Sequence, residues 1–79
     1  MKTYDIFLGW FDDSKNLTTT QKISEAITAY IKRFKKTPNV VVVNEADRAS
    51  LANPELVEGV AVRSESYMVP NNFWVGREE

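Results

Sequence analysis

The chain has 79 residues and a formal net charge of −1, with 43% hydrophobic and 27% charged residues. It contains no cysteine and no histidine, which excludes disulfides, thiolate metal sites and Ser-His-Asp catalysis. A charge this close to zero gives no global field that would steer the chain onto nucleic acid or a membrane surface. These values predict one small globular domain over residues 1–79, stabilised by its own hydrophobic core or by a second copy of the chain.

The first half of the chain predicts a strand followed by a helix. Residues 3–10 alternate apolar with other residues at a period of two, which is typical of a strand. Thr18 and Gln21 have the spacing of a capping box, and the helix that they begin is expected to end by Thr37, because Pro38 follows. One apolar stripe runs along this helix: Ile23, Ala26, Ile27, Tyr30, Ile31 and Phe34.

The segment Val40–Val43 predicts the centre of the sheet. Four consecutive β-branched residues are apolar on both faces of a strand, so both faces must be covered. A strand, a helix and a second strand in this order are expected to place residues 3–10 and Val40–Val43 parallel, as neighbours or near neighbours.

The second half of the chain predicts short elements. Asn44 is expected to cap a short helix with Asp47 at its third position, and Asn53-Pro54-Glu55 is expected to begin another helical turn that Gly59 closes. Residues 60–63, 67–69 and 73–75 are short β-type runs, of which at least two are expected to extend the sheet in antiparallel orientation.

The predicted fold class is therefore α/β (α+β). It is a small mixed sheet of four to five strands with one long amphipathic helix on one face, in β-α-β-(α)-β-β order.

Two aromatic pairs are candidates for a protein interface, because adjacent strand residues point to opposite faces and one ring of each pair should be more exposed. The candidate interface residues are Trp10, Phe11, Phe73 and Trp74. A single long helix leaves the other face of the sheet needing cover. This predicts a homodimer or a protein partner, and it makes a non-catalytic, self-associating interaction or structural domain the leading hypothesis.

Two charged clusters supply alternatives. A basic run at the end of the helix could contact phosphates as a nucleic-acid accessory site, although cations there also offset the helix dipole. Its residues are Lys32, Arg33, Lys35 and Lys36. An acidic set after two strand ends could bind a divalent metal in a hydrolase, although turn and cap roles also explain it. Its residues are Asp12, Asp13, Glu45 and Asp47.

No catalytic constellation, cofactor motif or phosphate-binding glycine loop is present in the sequence. With no apolar targeting segment or membrane span, the chain is expected to be cytoplasmic.

Residues 21–76 resemble, in order, the layout of the axial domain of HK97-type phage major capsid proteins. The resemblance rests on a helix leading to Pro38 and the valine strand, which ends in Asn44-Glu45. It continues with Gly59-Val60-Ala61-Val62, Tyr67-Met68-Val69-Pro70 and Phe73-Trp74-Val75-Gly76. It implies a shared sub-domain layout. The long helix, extended arm and peripheral domain of those proteins have no counterpart here, so no residue role is carried over.

Overall fold

A computed structural model describes residues 7–78. It has a five-stranded mixed sheet and two helices, which is the predicted α+β class. The elements in chain order are β1 Phe7–Phe11, α1 Thr19–Phe34, β2 Val40–Val43, α2 Glu45–Ala49, β3 Leu56–Val57, β4 Val60–Ser64 and β5 Asn72–Gly76. The strand expected over residues 3–10 lies partly outside the described residues, and its described part belongs to β1.

The order of the strands across the sheet is β1-β5-β2-β4-β3. β5 is antiparallel to both of its neighbours, β1 and β2. β1 and β2 therefore run in the same direction as near neighbours, with β5 between them. The expectation of antiparallel pairing is wrong for β4 against β2, which are parallel. The chain between them contains α2 and β3, and it is long enough for the crossover that a parallel pair requires.

β2 is the central strand of the sheet, and all four of its valines are buried. Val41 and Val43 belong to the main core under α1, which also contains Phe73. Val40 and Val42 pack on the opposite face with Met68. The prediction that both faces of this strand are covered is confirmed.

Helix α1 begins at a capping box and ends at a left-handed residue. The Gln21 N–H donates to Thr18 Oγ1 at 3.1 Å, and the Thr18 N–H donates to Gln21 Oε1 at 2.8 Å. At the other end Lys35 has φ 58°, and its N–H donates to the Ile31 carbonyl at 2.8 Å. The predicted apolar stripe is buried in its central part, whereas Ile31 lies at its margin and is 40% exposed.

Asn44 caps α2 as predicted, because its Oδ1 accepts the Ala46 N–H at 2.8 Å. The second short helix expected at Asn53 does not form. Asn53 Oδ1 instead accepts the N–H groups of Glu55 and Leu56 in a turn that leads into β3. An asparagine side chain serves a turn as well as a helix start, so its presence did not distinguish the two.

Gly59 belongs to the hairpin between β3 and β4 and closes no helix. Glu58 and Gly59 both have positive φ, 52° and 80°, and they join the paired residues Val57 and Val60. Two left-handed residues in a two-residue loop are the geometry that tight β-hairpins favour.

Candidate interaction surface

The face of the sheet opposite α1 is called here the open face. The strand registers give its residues in rows across the strands. The first row is Phe7, Gly76, Val40, Ala61 and Leu56; the second is Gly9, Trp74, Val42 and Arg63; the third is Phe11 and Asn72. No helix lies on this face among residues 7–78, so its apolar residues depend on loops and long side chains for cover.

Part of the open face is covered by charged side chains on β4 and near the C-terminus. Arg63 forms a bidentate ion pair with Glu78. Its Nη1 donates to Oε1 and its Nη2 donates to Oε2, both at 2.8 Å. Glu65 approaches the same guanidinium, with Oε2 3.4 Å from Nε. The hydrogen bonds that Arg63 donates to the Glu78 carboxylate raise the pKa of Arg63, so this side chain stays charged. The pair lies beside Val40 and Ala61 at a shallow groove of about 390 Å³.

The other part of the open face carries a group of exposed apolar side chains that we call the aromatic patch: Phe11, Tyr67, Val69 and Trp74. Phe11, Tyr67 and Val69 are each 63% exposed, and Trp74 is 43% exposed. The rings of Tyr67 and Trp74 are tilted by 51° with centroids 6.3 Å apart. Such a cluster of large apolar groups is a common mark of a binding surface on a soluble domain.

Tyr67 and Val69 enter the patch through the loop that joins β4 to β5, where the sequence pattern predicted a strand over residues 67–69. Met68, between them, is buried against Val42 on the open face. Tyr67, Met68 and Val69 form a groove of about 200 Å³ with Asn72 and Trp74.

Two side chains next to β2 hold this loop in place. Asn44 Nδ2 donates to the Met68 carbonyl at 2.7 Å, and Asp47 Oδ2 accepts the Asn71 N–H at 2.8 Å. Asn44 therefore both caps α2 and positions the loop. The sequence predicted Asn44 and Asp47 as capping residues, but the distant partners of their side chains have no local signal.

The four predicted interface residues divide as strand alternation requires. Phe73 is fully buried under α1, and Trp10 packs at the margin of the same core. Phe11 and Trp74 point to the open face and are exposed. An interface on this face can therefore use only the outward member of each pair.

Two of the four acidic candidates, Asp12 and Asp47, accept hydrogen bonds from backbone N–H groups. Asp12 Oδ1 accepts the Ser14 N–H at 2.9 Å, and hydrogen bonds from the Ser14 side chain and backbone lower the pKa of Asp12 below 3.8. Asp47 is held by the Asn71 N–H, and Glu45 and Asp13 are exposed. Within residues 7–78 no group of three or more His, Cys, Asp or Glu side chains could hold a metal ion.

The basic candidates Lys32, Arg33, Lys35 and Lys36 are all exposed at the C-terminal end of α1. The Phe34 ring between them is engaged, since it packs against the Tyr30 ring with centroids 4.7 Å apart and the ring planes tilted by 49°. The guanidinium carbon of Arg33 also lies 5.7 Å from the centroid of the Phe34 ring. This aromatic ring is therefore not available to stack on a base.

Neither helix of the described chain is long and apolar enough to cross a membrane. Comparison with protein-family models, with curated proteins and with solved structures finds no match for this chain.

Proposed function

We propose that this chain is a non-catalytic interaction domain that forms a homodimer through the aromatic patch beside β1. The observation that carries this proposal is the exposure of Phe11, Tyr67 and Trp74 together on the face that lacks a helix. A small domain has little surplus stability, so leaving three aromatic rings in water is a cost that an interface would offset. We further propose a cytoplasmic location, with which a cysteine-free chain is compatible.

The exposed area supports a second copy of the chain as the partner. An aromatic side chain presents about 150–250 Å², so the three exposed rings together offer roughly 300 Å² on each chain. Two copies bring together about 600 Å² of aromatic surface before Val69, the strand edge and the polar rim are counted, against about 1,000 Å² in total for a small specific interface. The patch itself carries no charge, so two identical patches meet without like-charge repulsion.

Sedimentation velocity, used to measure the dimer dissociation constants of the wild type and of the variants Phe11→Ser and Ile31→Ser, tests this proposal. Phe11→Ser removes the ring that stands on β1 itself, and Ile31→Ser removes an equally apolar exposed side chain from α1, away from the patch. We expect Phe11→Ser to weaken the dimer about tenfold or more, as truncating an aromatic anchor does, whereas Ile31→Ser should leave it unchanged. Equal dissociation constants for all three chains would contradict the proposal.

A second candidate function is contact with nucleic-acid phosphates through the basic end of α1. It is favoured by one contact, in which Arg77 Nη1 donates to the Thr37 carbonyl at 2.6 Å and so adds a fifth cation near this end. The sequence between Ala26 and Asn44, which contains the four basic residues at the end of α1, has no acidic residue. The double variant Lys35→Glu with Lys36→Glu should abolish any gel shift that the wild type gives with a random duplex at low salt. The absence of a shift with the wild type would exclude this function.

The resemblance to the axial domain of HK97-type capsid proteins concerns layout alone, and neither candidate function takes a residue role from it.

A further inference from the structure

Strand β1 is bonded to β5 through alternate residues. The Asp12 N–H donates to the Asn71 carbonyl at 3.0 Å, which continues the β1–β5 register by one pair. Hydrogen-bonded and non-hydrogen-bonded pairs alternate along an antiparallel ladder. Trp10 and Leu8 are therefore the residues of β1 whose N–H and C=O groups are directed at β5.

The remaining residues of β1, namely Phe7, Gly9 and Phe11, direct their N–H and C=O groups away from the sheet. Among residues 7–78 no strand lies on that side of β1, which is the last strand in the sheet order. Within the part of the chain that the structure describes, three donors and three acceptors thus form a regular row along this edge with no strand opposite them.

This edge lacks the features by which sheets usually protect their outer strands. Protected edge strands are short, carry charged residues or proline, or contain a β-bulge. β3, the opposite edge of the sheet, has only two residues. β1 has five residues, Phe-Leu-Gly-Trp-Phe, with neither a charge nor a proline among them.

We infer that β1 pairs antiparallel with β1 of a second copy, about a two-fold axis at Gly9, to form a continuous ten-stranded sheet. This inference rests on the proposed homodimer and specifies how it is built. In this register Gly9 meets Gly9 of the partner subunit, and Phe7 meets Phe11 of the partner subunit. All three outward residues then bond to outward residues, which gives six interchain hydrogen bonds. A shift by two residues would leave one of the three unpaired on each chain.

The side chains fit the same register. Directly opposite residues of an antiparallel pair project to the same face of a sheet. Because Gly9 lies on the open face of each copy, the two open faces lie on the same side of the joined sheet. Phe7 and Phe11 of opposite subunits become cross-strand aromatic pairs. The Trp74 indole of each copy lies over its own Gly9, so the two indoles come together above the paired glycines. The parts of the two aromatic patches next to β1 thereby meet along the same seam as the paired backbone edges.

Two substitutions at Gly9 test whether a backbone N–H makes the interface. Gly9→Pro removes the outward N–H, and proline is tolerated where the N–H of an edge strand faces solvent. Gly9→Ala keeps the N–H and adds a methyl group that meets only Trp74 at 3.9 Å. We expect Gly9→Pro to be monomeric at chain concentrations at which Gly9→Ala is dimeric, with both folded by circular dichroism. A dimeric Gly9→Pro would overturn edge pairing.

Disulfide cross-linking tests the register without weakening the interface, because the chain has no cysteine of its own. Residues opposite each other in a hydrogen-bonded antiparallel pair have Cα atoms about 5.5 Å apart, within the range that a disulfide spans. Gly9→Cys should therefore form a covalent dimer under mild oxidation. Ala61→Cys, an exposed site on the same face three strands away, should not. Equal cross-linking at the two sites would overturn the register.

Failure of this inference is distinguishable from failure of the proposed homodimer. A dimer that Phe11→Ser dissociates but Gly9→Pro does not would overturn edge pairing and leave the aromatic patch as the interface. A wild type that stays monomeric would overturn both.

Discussion

The indole of Trp74 lies across Gly9 of the neighbouring strand. The two residues are cross-strand partners of β5 and β1, and Trp74 Nε1 lies 3.9 Å from the position that a Cβ atom on Gly9 would occupy. That distance is an ordinary van der Waals contact, and Gly9 is not among the residues with positive φ. Neither the local backbone nor the space within one chain therefore requires glycine at this position.

Gly9→Ala should consequently stabilise the folded chain by roughly 0.5–1 kcal/mol, because glycine loses more backbone freedom on folding than alanine does. Gly59→Ala is the matched control, since its φ of 80° is strained for any residue with a Cβ, and it should destabilise the chain by about 1 kcal/mol. Urea unfolding at one fixed, low chain concentration measures both changes. A destabilising Gly9→Ala would show that the Trp74 ring has no room for the methyl group.

Val43→Ala should destabilise the chain by roughly 2 kcal/mol, because two buried methyl groups are removed from a packed core. Val43 is fully buried on the α1 side of the central strand. Val69→Ala makes the same chemical change at a side chain that is 63% exposed, and it should alter the free energy of unfolding by less than about 0.5 kcal/mol. Similar losses from the two variants, measured by urea unfolding, would contradict the central position of β2.

Asn44→Ala should lower stability by roughly 1–2 kcal/mol, because it removes a helix cap and leaves the Met68 carbonyl without its donor. It should also loosen the loop that carries Tyr67. Amide hydrogen exchange of residues 65–71 measures the second effect, and we expect faster exchange there than in β2. Asn16→Ala, at an exposed turn residue, is the control and should change neither quantity. Unaltered loop exchange in Asn44→Ala would show that Met68 packing alone fixes the loop.

The pKa of Asp12 predicts how acid affects stability. Hydrogen bonds from Ser14 place the folded-state pKa below the ordinary value of 3.8. The stabilisation by a carboxylate with a lowered pKa is complete above its unfolded-state pKa and disappears as the pH falls through its folded-state pKa. The stability advantage of the wild type over Asp12→Asn should therefore be constant above about pH 5 and decline below about pH 4.

Ser14→Ala removes the hydroxyl donor and should reduce this decline, because the pKa of Asp12 then lies closer to 3.8. Urea unfolding of the wild type, Asp12→Asn and Ser14→Ala across the acidic pH range measures the free energy of unfolding of each chain. A wild type and an Asp12→Asn variant whose stabilities fall in parallel with pH would contradict the shift.

The elements that the sequence predicted are those whose burial pattern is local. The valines of β2 and the stripe from Ile23 to Tyr30 each indicate a buried face within a few residues of sequence. The parallel pairing of β4 with β2 and the insertion of β5 between β1 and β2 have no such signature, because strand order is set by contacts between distant segments. The strand β3 was also missed, since two residues are too few to show a period.

The candidate surface was predictable to a similar extent. Alternation correctly indicated that one ring of each aromatic pair is exposed, and the structure identifies these rings as Phe11 and Trp74. Tyr67 was expected in a strand, and it joins the patch only because Asn44 and Asp47 hold its loop from 20 or more residues away in the sequence. Capping residues that also bond to a distant loop give no local sign of that second role.

Sedimentation equilibrium of the wild-type chain over a wide range of concentrations tests self-association most directly. We predict a mass that rises from that of one chain to that of two chains and then stays constant, because pairing of one β1 edge with another closes the assembly. A mass that remains that of one chain at the highest concentration, or one that grows without limit, would contradict a dimer built on this face and edge of the sheet.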